Sequence, residues 1–431
     1  MTAEVAIANG SAVALAADSA VTIGGRKIYN SAIKLFSLSK VQPVGIMIYG
    51  NANLLDVPWE TIIKTCRKDL ADNKFDRLEE YGEHLISYIK KNNWFFTKDS
   101  QERWIERNTR GYFEGIREEA FEKFEIAFNS NKDIAEQEIL KIFTSIVLKN
   151  HKSLQSLDFT ADFDLQVENE LKTNYTKLIK VVTQSVFQNL KISRGIFNKL
   201  IDISIFLHTR EIFSDGVSGV VIAGFGESEI YPSILTYEIE GVLEDKLKFR
   251  KIDGKSHKIS HGNDCTIIAF AQEDMVASFM SGMNPSILQL IDVYLKQIFD
   301  RFPEILTDEM LAGSAIKAEK IRALLQQNGN YLRNDFIKSL RKHSNDQHIT
   351  PVLNMATVLP KDELAAMAES LVNLTAFKRK MTDSLETVGG PIDVIVISKG
   401  DGLVWVKRKL YFPKELNHNF FLNYHRGIEN D

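Results

Sequence analysis

Residues 1–50 read MTAEVAIANGSAVALAADSAVTIGGRKIYNSAIKLFSLSKVQPVGIMIYG, and we expect the rest of the fold to be built around this stretch. Two short apolar runs, 4–8 and 12–17, flank the dipeptide Asn9-Gly10. An Asn-Gly pair between strand-like runs is typical of a type I′ hairpin, because both central residues of that turn need a positive φ. The sequence therefore predicts a β-hairpin at the start of the chain.

The register of this hairpin brings an acid close to residue 2. If the two turn residues are unpaired, Ala8 pairs with Ser11, and Thr2 then lies opposite Ala17. Asp18 follows at once, and neighbouring strands lie about 4.8 Å apart. We therefore expect the Asp18 carboxylate near Thr2.

Strand-like patterns continue at 27–30, 33–38 and 44–49, and the last of them ends at Gly50. A twisted antiparallel sheet places Lys34 on a strand next to the hairpin. On pattern alone, a purely structural interpretation also holds, in which Asp18 caps a turn and Lys34 is a solvated charge on a strand.

The chemistry of these residue types favours a nucleophilic site. Removal of Met1 would expose Thr2, whose hydroxyl attacks a carbonyl while its α-amine, with a reference pKa of about 7.7 to 8.0, takes the proton. Lys34 near the amine would keep it largely neutral, and Asp18 would hold the lysine charged and oriented. Gly50 offers a backbone N–H to the developing oxyanion. Small residues are also common after an initiator methionine, so Thr2 alone decides nothing.

Composition excludes other classes of function. The chain has 431 residues, 44% hydrophobic and 26% charged, enough for a large core in one elaborated domain or two to three ordinary ones. The formal net charge is −4, which gives no reason to expect nucleic acid as a partner. Cys66 and Cys265 lack the spacing of a disulfide framework or a zinc site. No apolar run reaches the roughly 18 residues of a membrane span. We expect a cytoplasmic protein without cofactor, metal or membrane contact.

The remaining chain divides by its patterns. The segment 60–213 is rich in Lys and Glu and has apolar residues at helical spacing, which predicts a helical insertion. We expect a core of 1–59 and 214–412, with a helical elaboration at about 304–347 and a C-terminal tail at 413–431. Further core elements are predicted as strands at 219–225, 234–239, 246–252 and 265–270, helices at 273–282, 287–299 and 360–385, and a closing hairpin after Gly389-Gly390.

The stretches TAEVAIANGSAVALAADSAVTIGG, IKLFSL and IMIYGNAN resemble the opening of proteasome β-type subunits and of HslV-like peptidases, which are N-terminal nucleophile hydrolases. Thr2, Asp18 and Lys34 match the nucleophile, orienting acid and lysine of that family, and Gly50 matches its oxyanion glycine with a small shift. The resemblance implies an α+β fold, a four-layer αββα sandwich of two antiparallel sheets, here with large helical insertions.

Two positions depart from the family pattern. Residues 271–273 read AQE where the family commonly has a glycine-serine pair, so that Gln272 or Ser278 would have to substitute for the serine. The family's distal acid falls on Leu385, with acids only at neighbouring positions. Support for the amine is therefore altered at both places.

The residues and the resemblance together predict a threonine-type peptidase or amidohydrolase acting on a peptide or amide substrate. The resemblance also implies a homo-oligomer or ring and an ATP-dependent unfoldase as partner. Two alternatives stay open: a catalytically inactive structural or binding subunit, and a helical interaction module that uses the sheet as scaffold.

Overall fold

The computed structural model describes residues 3–23, 27–130, 136–188, 190–310, 315–381 and 389–419. Two predicted positions, Thr2 and Leu385, lie outside these ranges. The chain combines long helices with antiparallel sheets, which confirms the mixed fold class predicted from the sequence.

Most strands come from the two ends of the chain and from a central block. They are β1 Glu4–Asn9, β2 Ala12–Ala17, β3 Val21–Ile23, β4 Lys27–Tyr29, β5 Leu35–Ser37, β6 Val44–Gly50, β7 Asn53–Leu54, β8 Val57–Pro58, β9 Ser218–Gly224, β10 Ser233–Leu243, β11 Lys246–Lys251, β12 His257–Lys258, β13 Cys265–Ala271, β14 Asp393–Ser398 and β15 Gly402–Lys407.

The helices fall between these strands. They are α1 Trp59–Leu70, α2 Leu78–Lys91, α3 Lys98–Ser130, α4 Glu136–Gln155, α5 Leu165–Val186, α6 Arg194–Thr209, α7 Glu273–Ser281, α8 Pro285–Met310, α9 Ala315–Ser344, α10 Thr350–Val358 and α11 Lys361–Lys380. The described residues of 60–213 are therefore largely helical.

The described chain forms two compact units. The first contains the described residues of Met1–Leu35, Ile230–Pro232 and Lys258–Leu422, and the second those of Phe36–Glu229 and Ser233–His257. The division predicted from the sequence, into a core and an insertion, stays a prediction.

The first unit is built on a five-stranded antiparallel sheet in the order β13-β1-β2-β14-β15. Alternate residues of the first two strands pack against α11 in one apolar core, which includes Val5, Ile7, Ala14, Leu364 and Ala368. The small side chains of β2 allow the helix to approach the sheet closely. The N-terminal hairpin thus lies at the centre of its sheet, between strands from much later in the chain.

The predicted register of this hairpin is wrong by two residues. Ala8 pairs with Val13 rather than Ser11, and Glu4 lies opposite Ala17. The Asn9 side chain explains the difference: its Oδ1 accepts the backbone N–H of Ser11 at 3.0 Å and closes the turn from the end of β1. Asn9 and Gly10 both lack the positive φ of a type I′ turn.

The second unit contains a sheet in the order β11-β10-β9-β6-β5 and the helices α1 to α6. Helix α2 packs on β10 at Gly82, where a Cβ would come within 2.5 Å of the Tyr237 hydroxyl. Helices α3 to α6 share a separate apolar core that includes Phe113, Phe143 and Leu200. Among the described residues, no helix is long and apolar enough to cross a membrane.

Candidate active site

Asp18 is hydrogen-bonded to Ala3, the residue that follows Thr2 and precedes β1. The acid follows β2, and its backbone N–H donates to the carbonyl of Ala3 at 3.1 Å. In return the N–H of Ala3 donates to the Asp18 carboxylate at 3.1 Å, and the N–H of Ala20 donates to the other carboxylate oxygen at 3.3 Å. These two backbone donors, one on each carboxylate oxygen, help to fix the orientation of the acid.

A glycine pair from the end of the chain completes the surroundings of this acid. The N–H of Gly389 donates to Asp18 at 2.9 Å, and the N–H of Ser19 donates to the Gly389 carbonyl at 3.2 Å. The next residue, Gly390, has φ +78°, and a Cβ there would come within 2.6 Å of the Asn30 Cβ. Only glycine fits this entry into β14 without strain.

Lys34 lies directly before β5 and joins two carboxylates. Its ammonium ion-pairs with Asp18 and, at 3.0 Å, with Glu4. The exposed fractions are 6% for Lys34, 1% for Asp18 and 0% for Glu4. Three buried charges are costly to remove from water, so such a cluster is retained only where its pairing or its chemistry compensates.

Glu4 is the member of this cluster that sequence reasoning missed. All six residues of β1 are buried, and Glu4 is the only acid among them. An acid inside an otherwise apolar strand was the available signal, because a buried charge needs a partner.

The described structure does not test two of the predicted site residues against this cluster. Thr2 lies outside the described residues, next to Ala3. Gly50 ends β6 in the second unit with φ +75°, and a Cβ there would come within 2.6 Å of the Val217 carbonyl oxygen. Backbone geometry alone thus requires glycine at position 50, and its oxyanion role stays a prediction.

The positions proposed to replace the missing serine have local structural roles. Gln272 precedes α7 in a left-handed conformation, with φ 54°. The Ser278 hydroxyl donates to the carbonyl of Asp274 within the same helix. Neither observation assigns them to the amine.

A second polar cluster lies in the helical part of the second unit. A cavity of about 170 Å³ is lined by His151, Lys172, Lys199 and Asp202 among others. His151 Nε2 lies 3.2 Å from the Lys199 ammonium and 3.3 Å from Asp202, and burial together with that lysine lowers the pKa of the imidazole. These side chains largely satisfy one another, and the cavity lining includes no Ser, Thr or Cys nucleophile.

The described residues contain no group of three or more His, Cys, Asp and Glu side chains arranged to hold a metal ion. The Asp18–Lys34–Glu4 cluster has a different chemistry: a cation between two carboxylates, which can orient and tune a neighbouring amine or hydroxyl.

Comparison with known proteins adds little to this geometry. No family model matches the sequence, and no curated protein matches it. Among solved structures, the chain is similar to Anbu (ancestral beta-subunit) from Yersinia bercovieri, with 10% sequence identity and a TM-score of 0.29, over 99% of this chain and 93% of that one. A TM-score this low establishes neither a common fold nor a common function.

These comparisons overturn the family assignment predicted from the sequence. The opening residues suggested a proteasome β-type or HslV-like N-terminal nucleophile hydrolase, whereas no family model matches the sequence. The prediction rested on short motifs of common residue types, and their spacing over fifty positions does not identify a family. What remains is the geometry of the residues themselves.

Proposed function

We propose that this chain hydrolyses peptide or amide bonds, with Thr2 as nucleophile and its own α-amine as base. One observation carries the proposal: the buried Asp18 carboxylate accepts the N–H of Ala3, one residue from Thr2, and is ion-paired with Lys34. In this proposal the acid and the lysine act on the residue that precedes Ala3, where a free amine and a hydroxyl occur on one residue.

The proposed reaction uses a covalent intermediate. The Thr2 hydroxyl oxygen attacks the substrate carbonyl carbon while the α-amine takes the hydroxyl proton. In this proposal the tetrahedral oxyanion accepts a hydrogen bond from the backbone N–H of Gly50. Collapse breaks the C–N bond, the ammonium returns its proton to the leaving amine, and water hydrolyses the resulting ester with the amine again as base.

The charges of the cluster fit both states of that amine. Lys34 opposes a positive charge on the free amine and so favours the neutral base. Asp18 and Glu4 favour the ammonium that forms during attack, because the described cluster holds two carboxylates and one lysine. The same three side chains therefore allow the α-amine both to take up a proton and to release it.

Other parts of the sequence prediction belong to this proposal. They are the four-layer αββα sandwich, a cytoplasmic location, a homo-oligomer, and peptide substrates supplied by an ATP-dependent unfoldase. An inactive structural subunit is the competing function, and the state of residues 1 and 2 in the purified protein distinguishes the two.

Intact-mass measurement and an electrophile test the proposal together. We expect purified protein to lack Met1, and a threonine-directed electrophile to modify Thr2, mapped by peptide mass spectrometry. Thr2→Ala should abolish both labelling and hydrolysis of peptide or amide probes, and Thr2→Ser should keep part of the activity.

Ser370→Ala is the matched control, since this exposed hydroxyl donates only within α11, to the Ala366 carbonyl. It should leave labelling and hydrolysis unchanged. Protein that retains Met1 has no free amine on Thr2, and hydrolysis that survives Thr2→Ala needs another nucleophile. Either result would contradict the proposal and favour the inactive subunit or a different site.

A further inference from the structure

Helices α8 and α9 form an antiparallel hairpin with its own internal contacts. Arg333 donates two hydrogen bonds to the Asp292 carboxylate, at 2.8 and 2.6 Å. Near the middle, a Cβ on Gly329 would come within 2.8 Å of the Phe299 Cβ, so the helices approach closely there. At the end of α9, the Ser344 hydroxyl donates to the carbonyl of Ser281, the last residue of α7, at 2.7 Å.

The hairpin exposes an apolar stripe on α8. Its residues recur every three or four positions and are between 44% and 64% exposed: Ile287, Leu290, Tyr294, Ile298, Phe302 and Ile305. This spacing places the six residues on one face of the helix, as in helices that pack against another helix.

Helix α9 has a matching stripe. Its members are between 41% and 71% exposed: Ile321, Leu324, Tyr331, Leu332 and Phe336. Single exposed apolar residues are ordinary, but two such stripes on one hairpin exceed what a monomer normally exposes to water.

Both stripes lie on the same side of the hairpin. At about 100° per residue, each stripe is centred roughly 110° from the side that contacts the other helix, in the same rotational sense. Because the helices are antiparallel, equal rotations turn both stripes toward one side. The result is a two-helix apolar surface, which we call the hairpin face.

The charges of the two helices indicate what covers the hairpin face. By sequence, α8 has five acidic and two basic residues, whereas α9 has seven Lys and Arg and two acidic residues. A lone acidic or lone basic partner would be repelled by one helix. A second copy of the chain complements both helices, because it presents one acidic helix and one basic helix.

We propose that the hairpin faces of two copies of this chain pack together as a four-helix bundle. A two-fold axis parallel to the helices places α8 of each copy over α9 of the other, acidic against basic. An axis perpendicular to the helices would place like charges together, so complementarity selects the first arrangement. All neighbouring helices are then antiparallel, as in a four-helix bundle with short connections.

This arrangement brings one defined pair of charges together between copies. The contacts of Asp292 with Arg333 and of Phe299 with Gly329 set the relative height of the helices. A parallel two-fold axis preserves height, so Glu304 of one copy lies within about one helical turn of Lys320 of the other. Both side chains are exposed and lie on the outer flanks of their stripes.

The first test is the mass of the full chain by sedimentation velocity. We expect the Leu290→Glu/Leu324→Glu variant to fall to half the wild-type mass with an unchanged circular dichroism spectrum. Val181→Glu is the matched control, since Val181 is 63% exposed on α5, and it should keep the wild-type mass. Thr2→Ala should keep it as well, which separates this proposal from the proposed function.

The second test is a charge swap. Glu304→Lys and Lys320→Glu should each weaken self-association about tenfold, because the swapped pair occurs twice in a symmetric dimer. An equal mixture of the two variants should restore it, since each mixed contact again joins opposite charges. A monomeric wild type, a mass unaffected by the double variant, a mixture without recovery, or a monomer that floats with anionic lipid vesicles would each overturn the proposal.

Discussion

Lys34 ion-pairs with both Asp18 and Glu4, so its removal takes away the positive charge that these two buried carboxylates share. We expect Lys34→Met to lower the free energy of unfolding by about 3–5 kcal/mol, measured by urea denaturation. Glu4→Gln in the same chain should recover part of the loss, because it removes one of the two negative charges that Lys34 offsets. Strictly additive effects of the two substitutions would show that the ion pair does not couple them.

His208 makes stability depend on pH. It is fully buried near the end of α6, with Nδ1 2.7 Å from the Ser204 carbonyl oxygen and its ring 4.8 Å from that of Trp104. Burial, together with the charge of Lys248, lowers the pKa of His208 to about 4 from 6.5.

As pH falls from about 6.5 to 4, the unfolded chain therefore binds a proton at His208 before the folded chain does, and stability is lost. This residue accounts for up to about 3 kcal/mol over that window. The slope of the unfolding free energy against pH gives the number of protons taken up on unfolding, and in His208→Phe this number should fall by up to one. Urea titrations at several pH values measure this, and an unchanged slope would show that another group is responsible.

At this scale the described structure pairs Asp18 with Ala3 and Lys34, although the register predicted for the hairpin is wrong by two residues. Lys34 lies before β5, which belongs to a different sheet from the hairpin, and not on a strand next to the hairpin as predicted. Glu4 was missed because strand alternation says which face a side chain occupies, and not which charge it meets. The catalytic roles of all four predicted residues stay predictions.

Among the elements, α2 depends on a glycine where it packs on β10. A Cβ at Gly82 would come within 2.5 Å of the Tyr237 hydroxyl and 3.1 Å of its ring. We expect Gly82→Ala to lower thermal stability by about 1–3 kcal/mol, because a buried tyrosine must shift.

Gly111 provides the matched control in α3, since a Cβ there meets nothing within 4 Å. Gly111→Ala should stabilise the chain by about 0.5–1 kcal/mol through helix propensity. Melting curves of the two variants should therefore shift in opposite directions. A shift of both melting curves in the same direction would mean that the close packing of α2 on β10 does not require glycine at position 82.

Periodicity identified most elements but not their alignment. The strands β1, β2 and β6 and the helices of 60–213 follow directly from apolar spacing. The hairpin register failed because one side chain, Asn9, closes the turn through its own oxygen. Dipeptide rules describe backbone preference, and a competing side-chain hydrogen bond overrides them.

On the scale of the whole molecule, the two cysteines report separately on the two units. Cys66 belongs to the second unit and Cys265 to the first, and burial raises the pKa of their thiols to about 12 and about 11. Alkylation of either at pH 8 should be at least about a hundredfold slower than that of free glutathione.

Urea should expose each thiol as its own unit unfolds, and peptide mass mapping of alkylated protein follows the two sites independently. Fast labelling of Cys66 in native buffer would contradict the burial of its thiol. The family assignment failed at this same scale, because it rested on short motifs of common residue types.

One such pairing has a consequence for synthesis. Strand β2 pairs with β14 from Ala12 opposite Ser398 to Ala17 opposite Asp393, and Asp18 receives the N–H of Gly389. At translation rates of about 5–20 residues per second, the hairpin leaves the ribosome roughly 20–75 s before its neighbouring strand exists. During that interval Asp18 lacks its Gly389 donor and the hairpin has an open edge, so a nascent chain cannot complete the surroundings of Asp18. Any activity that depends on it begins only after nearly the whole chain has been made.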